Sequence, residues 1–163
     1  MKILVLSDSH GEIASMARAI LEQGPDAVIH LGDCVPDANA LQARFPALTI
    51  YQVKGNNDWR DQTPERLELS LEGVRILAVH GHQYGVYSGP LRVSLAAREA
   101  GADVALYGHT HIPACERTRD GLWLLNPGAC GKYTPTCGVI EIANGRCTCY
   151  NAPVETGKPG KGE

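Results

Sequence analysis

Five short apolar runs punctuate the chain, and each ends in polar residues able to bind a metal. Ile3 to Leu6 runs into Ser7-Asp8-Ser9-His10, and Ala27 to Leu31 runs into Gly32-Asp33. Leu48 to Val53 leads to Gly55-Asn56-Asn57-Asp58, Val74 to Val79 leads to His80-Gly81-His82, and Asp103 to Tyr107 leads to Gly108-His109-Thr110-His111. Runs this short, rich in Val, Ile and Leu and bounded by Gly or Asp, predict strands buried on both faces. Between them lie helical patterns. Glu12 to Gln23 places Ile13, Met16, Ala17, Ile20 and Leu21 at helical spacing and stops at Gly24-Pro25. Pro36 to Arg44 and Pro90 to Ala100 read as two more helices, the second closing at Gly101.

The second half is richer in hairpin signals. Glu72-Gly73 separates Arg66 to Leu71 from Val74 to Val79, while Asp120-Gly121, Pro127-Gly128 and Asn144-Gly145 separate the runs Ile112 to Thr118, Leu122 to Leu125, Thr136 to Ile142 and Arg146 to Tyr150. Strands alternating with helices, followed by antiparallel strands, predict an α/β domain of two packed sheets with helices outside. Open α/β sheets bind ligands beyond the carboxyl ends of their strands, and all five polar clusters fall there. One domain is expected over residues 1–150, because a chain of about 150 residues buries roughly 68–70% of its unfolded surface. The Gly-, Pro- and Lys-rich stretch 151–163 is expected to be a disordered tail.

Composition narrows the partners. A net charge of −3 offers no broad electropositive surface, so affinity for phosphate has to come from a local site, and a small phosphoester is expected before long nucleic acid. The apolar run after Met1-Lys2 is too short for a signal-peptide core, and no run approaches the ~20 residues that cross a bilayer, so no membrane partner is expected and a cytoplasmic location is. Six cysteines, none in a CxxC pair, are read as reduced thiols, with Cys147 and Cys149 on one face of a strand.

Singly, the polar motifs are weak, since a lone His at a strand end is more often a structural residue than a ligand. Together they are hard to explain by packing. Partly buried carboxylates repel one another, and each costs desolvation unless a cation compensates. The order Asp-x-His, Gly-Asp, Gly-Asn-x-Asp, His-Gly-His, Gly-His-x-His resembles the calcineurin-like metallophosphoesterases, in particular their small single-domain YfcE-like phosphodiesterase group. The resemblance spans Met1 to about Tyr150, and Asn126-Pro127-Gly128-Ala129 is similar to the group's Asn-Pro-Gly-Ser with Ala in place of Ser.

That resemblance implies a four-layer α-β-β-α sandwich with two mixed sheets flanked by helices. It implies that Asp8, His10, Asp33 and His111 hold one divalent metal while Asp33, Asn56, His80 and His109 hold the other, with Asp33 as the bridge. Mixed nitrogen and oxygen ligands suit Mn²⁺, Fe²⁺, Ni²⁺ or Zn²⁺, and Mn²⁺ is expected first. The implied reaction is hydrolysis of a phosphodiester by in-line attack of a metal-bridging hydroxide. Catalytic roles are expected for Asn57, Asp58 and His82. Asn57 stands where many relatives carry a histidine, and it can donate a hydrogen bond but no proton. Asp58 is expected to orient Asn57 or a ligand, His82 to touch substrate or act as an acid, and His30 to hydrogen-bond a ligand from a buried strand. Trp59, Tyr84 and Tyr87 are candidates for a substrate pocket. Two other readings remain: a scaffold protein that keeps the fold without the activity, as in the retromer subunit, and a phosphomonoesterase. A homo-oligomer is also expected from the resemblance.

Overall fold

Strict alternation along the first strands explains the layering. In β1 (Lys2–Leu6), Ile3 and Val5 point one way and Leu4 and Leu6 the other, and all four are buried. A strand covered on both faces needs a layer on each side. Ile3 and Val5 enter a core shared with Ile76, Leu106 and Leu125 of a second sheet. Leu4 and Leu6 pack against Met16 and Ile20 of α1 (Ile13–Gln23) and Leu41 of α2 (Val35–Arg44). The second sheet repeats the device: Leu77, Val79 and Ala105 face outward onto Val93 and Ala97 of α3 (Leu91–Glu99). The outcome is the four-layer α-β-β-α sandwich.

The computed structural model describes residues 1–131 and 133–156. The remaining strands are β2 (Ala27–His30), β3 (Thr49–Gln52), β4 (Arg66–Leu71), β5 (Val74–Val79), β6 (Val104–Leu106), β7 (Ala114–Arg117), β8 (Trp123–Asn126), β9 (Thr136–Ala143) and β10 (Arg146–Pro153). One sheet runs β10-β9-β1-β2-β3 and the other β4-β5-β6-β8-β7. Both are mixed: β1, β2 and β3 are parallel, as are β5, β6 and β8, while β9, β10, β4 and β7 pair antiparallel. Among the described residues no helix is long and apolar enough to cross a membrane.

Three local expectations need correction. β3 is a sheet edge rather than a strand buried on both faces, so Thr49 is exposed and its neighbours are half-buried. Pro127-Gly128 does not close a hairpin; β8 pairs with β6 and β7 while β9 pairs with β1 and β10, so this turn carries the chain from one sheet to the other. The chain after Tyr150 does not loosen at once. Asn151, Ala152 and Pro153 continue the β10 ladder opposite Gly138, Cys137 and Thr136, and Val154 is buried in the helix-side core. Residues 157–163 of the expected tail lie outside the described residues.

All six cysteines are free. Cys147 and Cys149 do share a face of β10, but that face turns into the core between the sheets instead of toward solvent.

Candidate metal centre

The parallel strands of both sheets end at one rim, and the residues just past those ends carry the chemistry. Asp8 and His10 follow β1, Asp33 follows β2, Asn56 follows β3, His80 follows β5, and His109 and His111 follow β6. Five of these seven, Asp8, His10, Asp33, His109 and His111, have positive φ, between 44° and 69°. The other described non-glycine residues with positive φ, Glu72 and Asn144, sit in two-residue hairpin turns where that conformation is routine. Left-handed backbone at a non-glycine residue costs of order 1–3 kcal/mol and persists where the surroundings over-determine it. Here it turns each strand end back so that its side chain points into the rim.

Close backbone approach makes the turns compact. A Cβ on Gly55 would overlap the carboxylate of Asp33, and one on Gly108 would overlap Ser7 Oγ. Both glycines are therefore needed for what their missing side chains leave open.

The seven side chains converge. Asp8 is wholly buried, and its Oδ2 accepts hydrogen bonds from Ser7 Oγ at 2.6 Å and the His109 N–H at 3.1 Å. Its Oδ1, equally buried, accepts none among the described residues. Around that orphaned oxygen stand His111 Nε2 at 3.1 Å, His10 Nε2 at 3.8 Å and His80 Nε2 at 3.8 Å. His80 shows why nitrogen lone pairs face it. Its Nδ1 lies 2.7 Å from the Leu31 carbonyl, which can only accept, so Nδ1 carries the proton and Nε2 presents a lone pair to the rim. That Nε2 meets Asn56 Oδ1 at 3.0 Å, His109 Nδ1 at 3.2 Å and Asp33 Oδ2 at 3.5 Å. On the other flank, His10 Nε2 and His111 Nε2 are 3.4 Å apart. His10 and His111 are exposed, but Asp8, Asp33 and His80 are buried, and acceptors turned toward one another there repel unless a cation lies between them; nitrogen and carboxylate oxygen are fitting ligands for a divalent ion.

Two groups have ligand atoms within 4.8 Å of one another: Asp8, His10 and His111, and Asp8, Asp33 and His80. Asp8 belongs to both groups and Asp33 to the second. The Asn57 backbone N–H donates to Asp33 Oδ1 at 3.0 Å and its side-chain Nδ2 donates to Oδ2 at 2.7 Å, so both oxygens of that carboxylate are held.

The expected catalytic residues separate by role. Asn57 is bound to Asp33. Asp58 does not orient Asn57; its oxygens accept the N–H groups of Asp33, Gly55 and Val35 at 2.8–2.9 Å, so it pins two ligand loops together. The His82 ring is 5.6 Å from that of His80 and 6.1 Å from that of His109, outside both ligand groups, and its buried Nδ1 has no partner among the described residues. Burial, then the neighbouring His80 ring, lowers the pKa of both His82 and His109. His30 contacts no ligand directly. Its Nδ1 accepts the Gly32 N–H at 3.1 Å, so Nε2 is the donor to Ser9 Oγ at 3.1 Å, and Ser9 passes its own proton to Asp37 Oδ2 at 2.8 Å. Asp37 also accepts the Gly11 N–H at 2.7 Å, which closes a buried clasp around the turn bearing His10. Desolvation pulls the His30 pKa down to about 4.

Of the aromatic candidates, the Tyr87 ring lies 4.6 Å from that of His109, Trp59 sits on a separate cavity beside Asn57, and Tyr84 packs toward α3. Sequence reasoning missed Asp37 and the work of Asn126. The latter donates to Gly108 O at 3.3 Å and Thr110 Oγ1 at 2.9 Å, so it braces the turn that carries His109 and His111. No local signal marks Asp37, because its partners are 26 and 28 residues away in sequence.

A two-sheet sandwich with a rim of carboxylate, imidazole and amide ligands defines a metallohydrolase-type centre. Residues 1–145 match the calcineurin-like phosphoesterase superfamily domain, and the chain belongs to that family. It is similar to the probable metallophosphoesterase YsnB of Bacillus subtilis, with 39% identity over 91% of this chain and 88% of YsnB. Phosphodiesterase MJ0936 of Methanocaldococcus jannaschii is 27% identical over 86% of this chain and 93% of that protein. Among solved structures, a conserved protein of Streptococcus pneumoniae TIGR4, described as a predicted phosphoesterase, superposes with a TM-score of 0.76 at 30% identity, covering 98% of this chain and 93% of that one. Vps29 of Chaetomium thermophilum superposes with a TM-score of 0.77 at 17% identity, covering 93% and 88%, which is a likeness of fold alone.

Proposed function

We propose that this chain is a phosphodiesterase that works with two divalent cations, Mn²⁺ before Fe²⁺, Ni²⁺ or Zn²⁺, on small phosphoesters. The observation that carries the reading is Asp8 Oδ1, buried without a hydrogen bond and faced by three imidazole nitrogens. Asp8, His10, Asp33 and His111 would hold one ion and Asp33, Asn56, His80 and His109 the other. Divalent cations so held lower the pKa of water toward about 7 and neutralise charge on phosphoryl oxygens.

The protein's own groups supply the rest. Leu31 keeps His80 in the tautomer whose Nε2 faces the rim, and Asn57 and Asp58 keep Asp33 and its loop in place. Asn57 has no proton to give, and its amide is already committed to Asp33. The departing oxygen is therefore not protonated from this position, and esters of acidic alcohols are favoured. The name of the relative MJ0936, a phosphodiesterase, supports the diester preference. A scaffold would need no complete set of ligands, and all seven are here.

The test is to strip the protein with a chelator, reload it with Mn²⁺, and follow bis-p-nitrophenyl phosphate beside p-nitrophenyl phosphate. Reloading is expected to restore hydrolysis, faster on the diester, and His80→Ala to remove it. A stripped protein that takes up no Mn²⁺ would return the chain to the scaffold reading.

A further inference from the structure

A cavity of about 400 Å³ opens directly off the Asp8, His10 and His111 side of the centre, and its opposite wall is Ala129, Gly131, Tyr133 and Thr134. For a substrate whose phosphoryl group sits at those ligands this cavity has room for one substituent, and the volume falls within the range of small-ligand pockets, roughly 300–1,000 Å³. The chemistry of the wall is specific. Among its described residues Asp8 alone is charged; the far side offers a methyl group, a bare backbone, a phenol and a hydroxyl. Ala129 and Gly131 leave it open: a Cβ on Gly131 would meet only ordinary contacts, so that glycine is not required for packing. Tyr133 is 90% exposed, an aromatic side chain that buries almost nothing in the protein yet stands at the cavity wall.

We propose that the cavity between His10, His111 and Tyr133 is the subsite for a ring-bearing substituent of the phosphoester, an aryl or nucleoside-like group, and that Tyr133 sets this preference by stacking on the ring. The inference rests on the metallophosphoesterase reading. Stacking and apolar contact both require the ring to lie along the phenol, and an aromatic pair adds to what area burial alone provides. A substituent as small as methyl leaves Tyr133 untouched.

Binding of phenylphosphonate and methylphosphonate to the Mn²⁺-loaded protein, followed by titration calorimetry, separates the subsite from the reaction, because neither ligand has an ester bond to break. Phenylphosphonate is expected to bind roughly tenfold tighter. Tyr133→Ala is expected to remove most of that advantage and Tyr133→Phe to keep it; the exposed position of Tyr133 protects the fold in both variants. Equal binding of the two phosphonates, or a phenyl advantage that survives Tyr133→Ala, overturns the subsite and leaves the hydrolase reading standing. Binding of neither phosphonate to the loaded protein overturns both.

Discussion

At the scale of single residues, the centre is governed by which atoms have partners and which do not. Asp8 spends one oxygen on Ser7 and the His109 backbone and keeps the other free, a division that makes sense for a metal ligand and for little else in a buried place. His30 shows the opposite case, with both nitrogens engaged. Its folded-state pKa of about 4 lies below the ordinary 6.5, so between those values the unfolded chain takes up a proton that the folded chain refuses. Stability is therefore lost as the pH falls from 6.5 toward 4, by about 2 kcal/mol from this residue at pH 5. Urea unfolding of the metal-free protein at pH 7 and pH 5 measures it: His30→Gln, which keeps a donor toward Ser9, is expected to lose less stability over that interval than the wild type. Asn57 makes a kinetic prediction. Since general acid catalysis is worth about 10²–10⁴-fold, wild-type rates are expected to fall more steeply with leaving-group pKa than those of Asn57→His. Parallel slopes across a series of aryl and alkyl diesters would show that position 57 is not where the proton matters.

The elements explain how such residues meet. β1, β2, β5 and β6 are apolar runs that end where the chain must turn, and the turns are tight because two of them interpenetrate at glycine. Gly108 lies against Ser7 and Asp8, so the β6 turn and the β1 turn are a single packed unit. Gly108→Ala is expected to leave the circular dichroism of the sandwich intact while weakening Mn²⁺ binding about 10–100-fold, the range typical of groups that orient metal ligands. Unchanged affinity would mean that the turns adjust independently. The Asp58 clamp and the Ser9–His30–Asp37 clasp act on the same principle, joining loops from different strands through one buried acceptor.

At the scale of the whole molecule, two layers of strands bring five loops to one pole, and the buried Asp8, Asp33 and His80 there are in tension until a cation arrives. Metal should then act as a folding ligand. At a free Mn²⁺ concentration 100 times its dissociation constant, linkage adds about 2.7 kcal/mol, which for a domain of this size raises the melting temperature by roughly 5–10 °C. Scanning calorimetry of the stripped and reloaded protein tests this. His80→Ala is expected to shrink the increment, and an equal increment in that variant would place the ion elsewhere.

Much of this was legible in the chain itself. Strand runs such as Ile3 to Leu6 and Val74 to Val79 announce burial on both faces, and Asp8, Asp33, His80 and His109 follow directly because a polar residue has to stand where the apolar run stops. Element order and fold class are properties of neighbouring residues, and local pattern determines them, while the candidate ligands stood out only as a set in a family-like order. What only the tertiary structure decided are relations between distant segments: that Asp8 stands among His10, His80 and His111, that Asp58 pins loops, that Asp37 closes on Ser9, and that Tyr133 walls the cavity. The turn at Pro127-Gly128 and the strand beyond Tyr150 belong with them, since a turn motif is the same whether its strands pair or part. Hydrogen-bond partners and vacant volume arise only when separate strands are laid side by side, and no single stretch of chain encodes them.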